Sequence, residues 1–218
     1  HKMKLPQIEN QLPLHNSEPV ESCCAIILAA GSSQRMGSPK QLLVFGEKNL
    51  MQHTIDAVKA SSVNKIIVVL GYASELVTEA IDTAGLQIVV NDDWPTGMAS
   101  SVKAGMKAIA DSSFTVDKVI LLVCDQPYIE AKIIDDLLDQ QRQSGKPVIA
   151  SVYGGKYGVP ALFDKSYFYL LKQLNGDEGA RKIIRENLGD VASVPFPAGE
   201  IDIDTPSAYE IIKRDFNQ

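Results

Sequence analysis

Three stretches of unbroken apolar sequence constrain this chain most: residues 23–30, Ile66-Ile67-Val68-Val69-Leu70 and Val119-Ile120-Leu121-Leu122-Val123. None alternates apolar with polar, so a strand made from any of them must be covered on both faces. Parallel strands with helices on either side meet that condition. Strands are predicted at 23–30, 65–70, 86–90, 118–124, 147–152 and 191–195, and helices near 49–60, 74–83, 100–110, 130–143, 165–174, 178–187 and 206–214. The β/α alternation predicts an α/β, Rossmann-like, mostly parallel doubly wound sheet flanked by helices. In such sheets ligands bind beyond the carboxyl ends of the strands, which gathers distant residues into one site.

Composition narrows the partners. A length of 218 residues suits one domain, expected over 23–218. Residues 1–22 read as a flexible arm, because Pro6, Pro13 and Pro19 interrupt a polar stretch, and His1-Lys2 ahead of Met3 resembles a tag remnant. The apolar runs fall far short of the ~20 residues that span a bilayer, and no basic-then-apolar leader is visible. No membrane role is expected, and the cytoplasm is the default location. A net charge of −6 argues against a nucleic-acid surface. Cys23, Cys24 and Cys124 fall in predicted buried strands and read as apolar fillers of a reducing compartment. His1, His15 and His53 are scattered, without zinc-ligand spacing.

The chemistry begins where the first strand ends, at Leu28-Ala29-Ala30-Gly31-Ser32-Ser33-Gln34-Arg35-Met36-Gly37-Ser38-Pro39-Lys40. Small residues after a strand leave backbone N–H groups uncovered, a nest for polyphosphate, and Arg35 and Lys40 add full positive charge. A Walker A loop would need Gly-Lys-Ser/Thr after four residues, and the dinucleotide fingerprint would need glycine where Ser33 stands. A nucleoside triphosphate is therefore expected on this loop. Asp125 follows the fourth strand and offers Mg²⁺ a hard oxygen ligand beside the phosphates, or else caps the next helix. Asp202 and Asp204 alternate in an extended segment, so both can face inward; one would complete the metal shell, unless Asp204 or Thr205 caps the last helix. Gly97-Met98-Ala99-Ser100-Ser101 opens a helix and either caps it or forms a base pocket with Gly97, Met98 and Ser101. Gly176-Asp177-Glu178-Gly179-Ala180-Arg181 is either a cap or a second phosphate site. Tyr157-Gly158-Val159-Pro160 is placed just beyond another strand.

Taken together, residues 28–40, Cys124-Asp125-Gln126-Pro127, Gly158-Val159-Pro160-Ala161-Leu162-Phe163, 176–181 and Asp202-Ile203-Asp204-Thr205-Pro206 resemble the molybdenum cofactor cytidylyltransferase group, the MobA-like and MocA-like nucleotidyltransferases. The resemblance spans about residues 23–214. It implies a nucleotide-diphospho-sugar transferase-like fold, a Mg²⁺ requirement, and transfer of CMP from CTP to molybdopterin with release of pyrophosphate. By position it implies that Leu28, Ala29, Ala30, Gly31 and Ser32 hold the nucleotide with Gly97, Met98 and Ser101. Arg35 and Lys40 would hold the nucleotide's phosphates and, with Asp125, would be catalytic, with metal on Asp125 and on Asp202 or Asp204. Gly158, Pro160, Gly176, Asp177 and Arg181 would hold the acceptor. Ala30 agrees with the cytidylyl members, whereas Gly158-Val159-Pro160 stands where better-known members often show Gly-His-Pro. A client molybdoenzyme is an implied partner. The alternatives are another phosphorylated acceptor, such as a sugar phosphate or methylerythritol phosphate, and a non-catalytic cofactor-binding maturation factor. A nicotinamide-dependent oxidoreductase is disfavoured because the glycine fingerprint fails.

Overall fold

The computed structural model describes residues 21–33 and 36–217. Its strands are β1 (Cys23–Ala29), β2 (Val44–Phe45), β3 (Lys48–Asn49), β4 (Lys65–Leu70), β5 (Leu86–Val90), β6 (Lys118–Val123), β7 (Val148–Tyr153), β8 (Lys156–Asp164) and β9 (Val191–Pro195). The helices are α1 (Leu50–Lys59), α2 (Ser74–Glu79), α3 (Met98–Ala110), α4 (Ala131–Ser144), α5 (Phe168–Gln173), α6 (Ala180–Glu186) and α7 (Pro206–Phe216). Seven strands form one sheet in the order β5-β4-β1-β6-β8-β7-β9, and β2 pairs β3 in a separate small ribbon. Every pairing in the large sheet is parallel except the two that β8 makes.

Both faces of the sheet are covered, as the apolar runs require. In β1, Cys23, Ala25, Ile27 and Ala29 pack with side chains of α1, α2 and α4, whereas Cys24, Ile26 and Leu28 pack with those of α3, α5 and α6. Burial of each of the larger ones, Ile26, Ile27 and Leu28, stabilises the fold by roughly 1.5–3 kcal/mol. Helix ends follow local chemistry. Asn49 caps α1 by accepting the Gln52 N–H at 2.8 Å, and Thr205 caps α7 at 3.3 Å with Pro206 in its first turn.

Several boundaries differ from the sequence reading. The helix expected over 74–83 ends at Glu79, because the start of α1 and its cap take the next polar groups: Asn49 donates to the Ala80 carbonyl at 2.7 Å and Gln52 accepts the Asp82 N–H at 2.8 Å. Residues 157–160 do not lie beyond a strand but inside β8. The chain reverses at Gly154-Gly155, both with positive φ (54° and 69°), the geometry of a two-residue hairpin. Pro160 masked the strand, since proline interrupts ladder bonding, and the β7–β8 register does shift there, from Ala150–Ala161 to Ser151–Gly158. Glu21 and Ser22, assigned above to the arm, are fastened to the start of β6, Glu21 by an ion pair with Lys118 and Ser22 by its N–H on Asp117 at 3.1 Å. Residues 1–20 lie outside the described residues.

Candidate active site

The carboxyl ends of β1 and β6 lie side by side, their ladder closing at Leu28–Val123. Just beyond, Lys40 Nζ sits 3.1 Å from Asp125 Oδ2 and 2.9 Å from Asp204 Oδ1. Burial pulls the Lys40 ammonium pKa down, but these two carboxylates outweigh it and the net shift is upward, so Lys40 stays charged. Asp125 does not cap the next helix, which starts at Ala131 after Glu130. Ile203 is fully buried and donates its N–H to the Asp125 carbonyl at 3.1 Å, which sets Asp202 and Asp204 to either side of Asp125. Burial first, then repulsion from Asp204 and Asp125, pushes the Asp202 carboxyl up.

Two cavities meet at Asp125. One, of about 590 Å³, is lined by every described residue expected to hold the nucleotide: Leu28, Ala29, Ala30, Gly31, Ser32, Lys40, Gly97, Met98 and Ser101. Asp125 and Asp204 border it. Arg35 lies outside the described residues. The other cavity, of about 920 Å³, is bordered by Asp125, Asp202, Asp177 and Arg181. Lys156, Lys182 and Arg185 also face it; Lys182 is engaged by Glu178 at 2.5 Å.

The remaining expected residues have structural posts. Helix α3 starts at Met98 rather than 100, so Ser100 and Ser101 lie inside it and Gly97 is the cap. Buried Asn91 donates to both serine hydroxyls, at 2.8 and 3.1 Å. Gly97 has φ 117°, and a Cβ there would stand 2.3 Å from the Gly176 carbonyl oxygen, so only glycine fits. Gly176 in turn accepts the Ala99 N–H at 3.0 Å, joining the expected base and acceptor segments. Gly158 does not line either cavity. It makes room for the Tyr153 hydroxyl, which a Cβ would approach to 2.2 Å, and that hydroxyl donates to the Val159 carbonyl at 3.0 Å. Pro160 likewise does not line them; its carbonyl accepts from Ser151 at 2.6 Å.

Sequence reasoning missed Gln41, Trp94 and Pro95 on the first cavity and Gln126, Tyr153 and Glu200 on the second. The Gly154-Gly155 pair flanked by Tyr153 and Lys156 is a hairpin signal that would have located the Tyr153 wall. Among the described residues no three His, Cys, Asp or Glu side chains converge closely enough to chelate a metal alone. That arrangement fits an ion that takes one or two carboxylates and completes its shell with phosphate oxygens and water. The donor set, Asp125 with Asp202 and Asp204 to either side, is hard oxygen.

Residues 25–191 match the MobA-like NTP transferase domain. The chain is 29% identical over 199 residues to the purine catabolism protein PucB of Bacillus subtilis, covering 87% of this chain and 95% of that one. It is 26% identical to nicotine blue oxidoreductase of Paenarthrobacter nicotinovorans, covering 83% of this chain and 91% of that one. The crystal structure of a homologue of Mycobacterium tuberculosis Rv0371c, from Mycobacterium sp. strain JC1, superposes with a TM-score of 0.79 at 30% identity, over 89% of this chain and 96% of that one. A manganese complex of M. tuberculosis Rv0371c shares the fold, with a TM-score of 0.74 at 24% identity over 89% and 98% of the two chains. A chain with this sheet and this strand-edge loop, matched over residues 25–191, belongs to the MobA-like NTP transferase domain family and is a nucleotidyltransferase.

Proposed function

We propose that the protein transfers CMP from CTP to a phosphorylated acceptor, molybdopterin, releasing pyrophosphate. The observation that carries this reading is the meeting of two cavities at one carboxylate. A nucleotide on the Gly31-Ser32 loop and an acceptor against Arg181 would both present phosphate beside Asp125. Ala30 favours a cytidylyl donor through the resemblance given above.

An acceptor phosphate monoester is largely dianionic at pH 7, its second pKa being about 6, so it attacks without a strong base. One of its oxygens forms a bond to the α-phosphorus while the bond from that phosphorus to the bridging β-phosphate oxygen breaks. Both electrons of that bond leave with pyrophosphate. Lys40 would hold the phosphates and neutralise charge developing on the leaving group. The second cavity's cations, Arg181, Lys156 and Arg185, would hold the acceptor's phosphate. Asp125, with Asp202 or Asp204, would hold a divalent ion, Mg²⁺ in this reading, whose chemistry is to neutralise and orient phosphate oxygens. A relative of the same fold has been crystallised with manganese, which agrees with a divalent-ion requirement.

The test is pyrophosphate release from CTP, GTP and ATP with Mg²⁺, with and without molybdopterin. Release from CTP only when molybdopterin is added is the expected result. CTP binding without release for molybdopterin, sugar phosphates or methylerythritol phosphate would overturn the transfer reading in favour of a carrier that delivers cofactor to a client molybdoenzyme. NADH binding at micromolar levels would instead revive the nicotinamide-dependent oxidoreductase.

A further inference from the structure

Gln41 stands beside Lys40 yet serves a different purpose. Its side chain is buried, 2% exposed, and its Nε2 donates to the Ala29 carbonyl at 2.7 Å and the Gly31 carbonyl at 3.3 Å. These carbonyls lie just past the point where β1 loses β6 as a partner, since that ladder ends at Leu28–Val123. The β4 side is still served: Tyr72 N–H donates to the Ala30 carbonyl at 3.0 Å. The Gln41 amide thus replaces the missing strand at the root of the phosphate loop. Two acceptors on one side fix which way the amide points, because only its NH₂ end can satisfy carbonyls. Its Oε1 is buried and finds no hydrogen-bond partner among the described residues. A buried acceptor held at such a cost needs a reason, and packing alone would be served as well by methionine or leucine.

We propose that Gln41 is the positioning residue of the phosphate loop, holding Gly31 so that the loop is formed before the nucleotide arrives. Because the peptide is planar and trans, fixing the Gly31 carbonyl on Gln41 turns the Ser32 N–H the opposite way. Ser32 and Gly31 both line the first cavity. Lys40 N–H adds a second tie, to Ser33 Oγ at 3.2 Å, so one short segment, Lys40-Gln41, braces both ends of the Gly31-Ser32-Ser33 turn. The inference rests on the nucleotide part of the proposed function and not on the identity of the acceptor.

Trp94 is the only tryptophan in the chain and borders the same cavity, so its fluorescence reads nucleotide binding directly. Titrating CTP, GTP and ATP with Mg²⁺ into wild type, Gln41→Met and Asn64→Ala gives the test. Asn64 is the control: its Oδ1 accepts the Cys23 N–H at 2.8 Å, a like tie at the opposite end of β1. Gln41→Met is expected to weaken nucleotide affinity about tenfold, equivalent to ~1.4 kcal/mol, while Asn64→Ala lowers the melting temperature and leaves affinity within about twofold, the scatter of neutral changes. Gln41→Glu, which keeps the length, covers the case in which Gln41→Met fails to fold. Its carboxylate offers no donor, but the protonated acid offers one, so its affinity relative to wild type recovers as pH falls. Wild-type affinity in Gln41→Met, or equal losses in Gln41→Met and Asn64→Ala, overturns the inference while leaving the proposed function intact. No response of wild type to any of the three nucleotides sinks both.

Discussion

Lys40 keeps its charge in a half-buried position because two carboxylates, 2.9 and 3.1 Å away, outweigh the desolvation that works against it. The same geometry gives Asp125 and Asp204 a counter-ion within the fold, and incoming phosphates offer Lys40 a competing partner of the same sign. Lys40→Met is therefore expected to raise the KM for nucleotide and lower kcat, losing about 10²–10³-fold in kcat/KM, as for one lost charge-stabilising donor. Asp125→Asn, equal in size, is expected to keep the circular dichroism of wild type and lose most turnover; a fully active, folded Asp125→Asn would remove that residue from the machinery. Gly97 makes a different kind of demand. Gly97→Ala meets a backbone oxygen at 2.3 Å and a φ of 117°, so a loss of about 1–3 kcal/mol is expected. At roughly 2–4 °C per kcal/mol for a chain of this size, a fall of several degrees in Tm follows. The positions of Asp125 and Gly97 were legible because they follow a strand and open a helix, and that of Lys40 because its charge closes the run of small residues after β1. Gln41 and Tyr153 were not, since their work is hydrogen bonding to backbone that only the fold brings near.

Between residue and domain stands a small core that joins the two halves of the Lys40–Asp204 pair. Phe45 on β2 is fully buried with Leu50, Ile203 and Ile212, and its ring meets Tyr209 edge-on at 5.1 Å and Phe216 at 5.4 Å. Lys40 lies shortly before β2, and Asp204 lies two residues before α7, so this contact sets their separation. Phe45→Ala is expected to cost about 3–5 kcal/mol and to lower turnover even at temperatures where the variant is folded. Phe163→Ala is the comparison: Phe163 is equally buried, on β8 opposite Val119 and Val148, in the core away from the site. It is expected to lose similar stability with turnover per folded molecule retained; equal activity losses in both would refute the positioning account. The ribbon β2–β3 escaped sequence reading because two-residue strands carry no periodicity, and β8 escaped it because Pro160 and the bulge at Val159 break the apolar run. The parallel strands β1, β4 and β6 were legible for the opposite reason: burial on both faces leaves no polar position to obscure them.

At the scale of the molecule, burial has set the acid–base behaviour of the three thiols. Cys23, Cys24 and Cys124 lie in or just past the central strands β1 and β6, and burial pushes each up to about 12. An unfolded cysteine ionises near ~8.5. Between those values unfolding releases protons that the fold retains, so rising pH favours the unfolded chain. Stability from this source is complete below about pH 8.5 and is lost as pH climbs toward 12, by up to about 1.4 kcal/mol per pH unit for each thiol. Tyr128 and Tyr167, also raised to about 12 by burial and by Asp215 and Asp190, act in the same direction above about pH 10. The urea midpoint is thus expected to decline steadily above pH 8.5, and replacing the three cysteines by alanine to flatten the decline up to about pH 10, where the tyrosines take over. Alkylation gives the kinetic counterpart. At pH 8.5 the native thiols are protonated and shielded, so iodoacetamide is expected to label them only at the rate of unfolding and to label all three within minutes in urea. Fast labelling of the native protein would place a cysteine outside the core, contrary to its position on these strands.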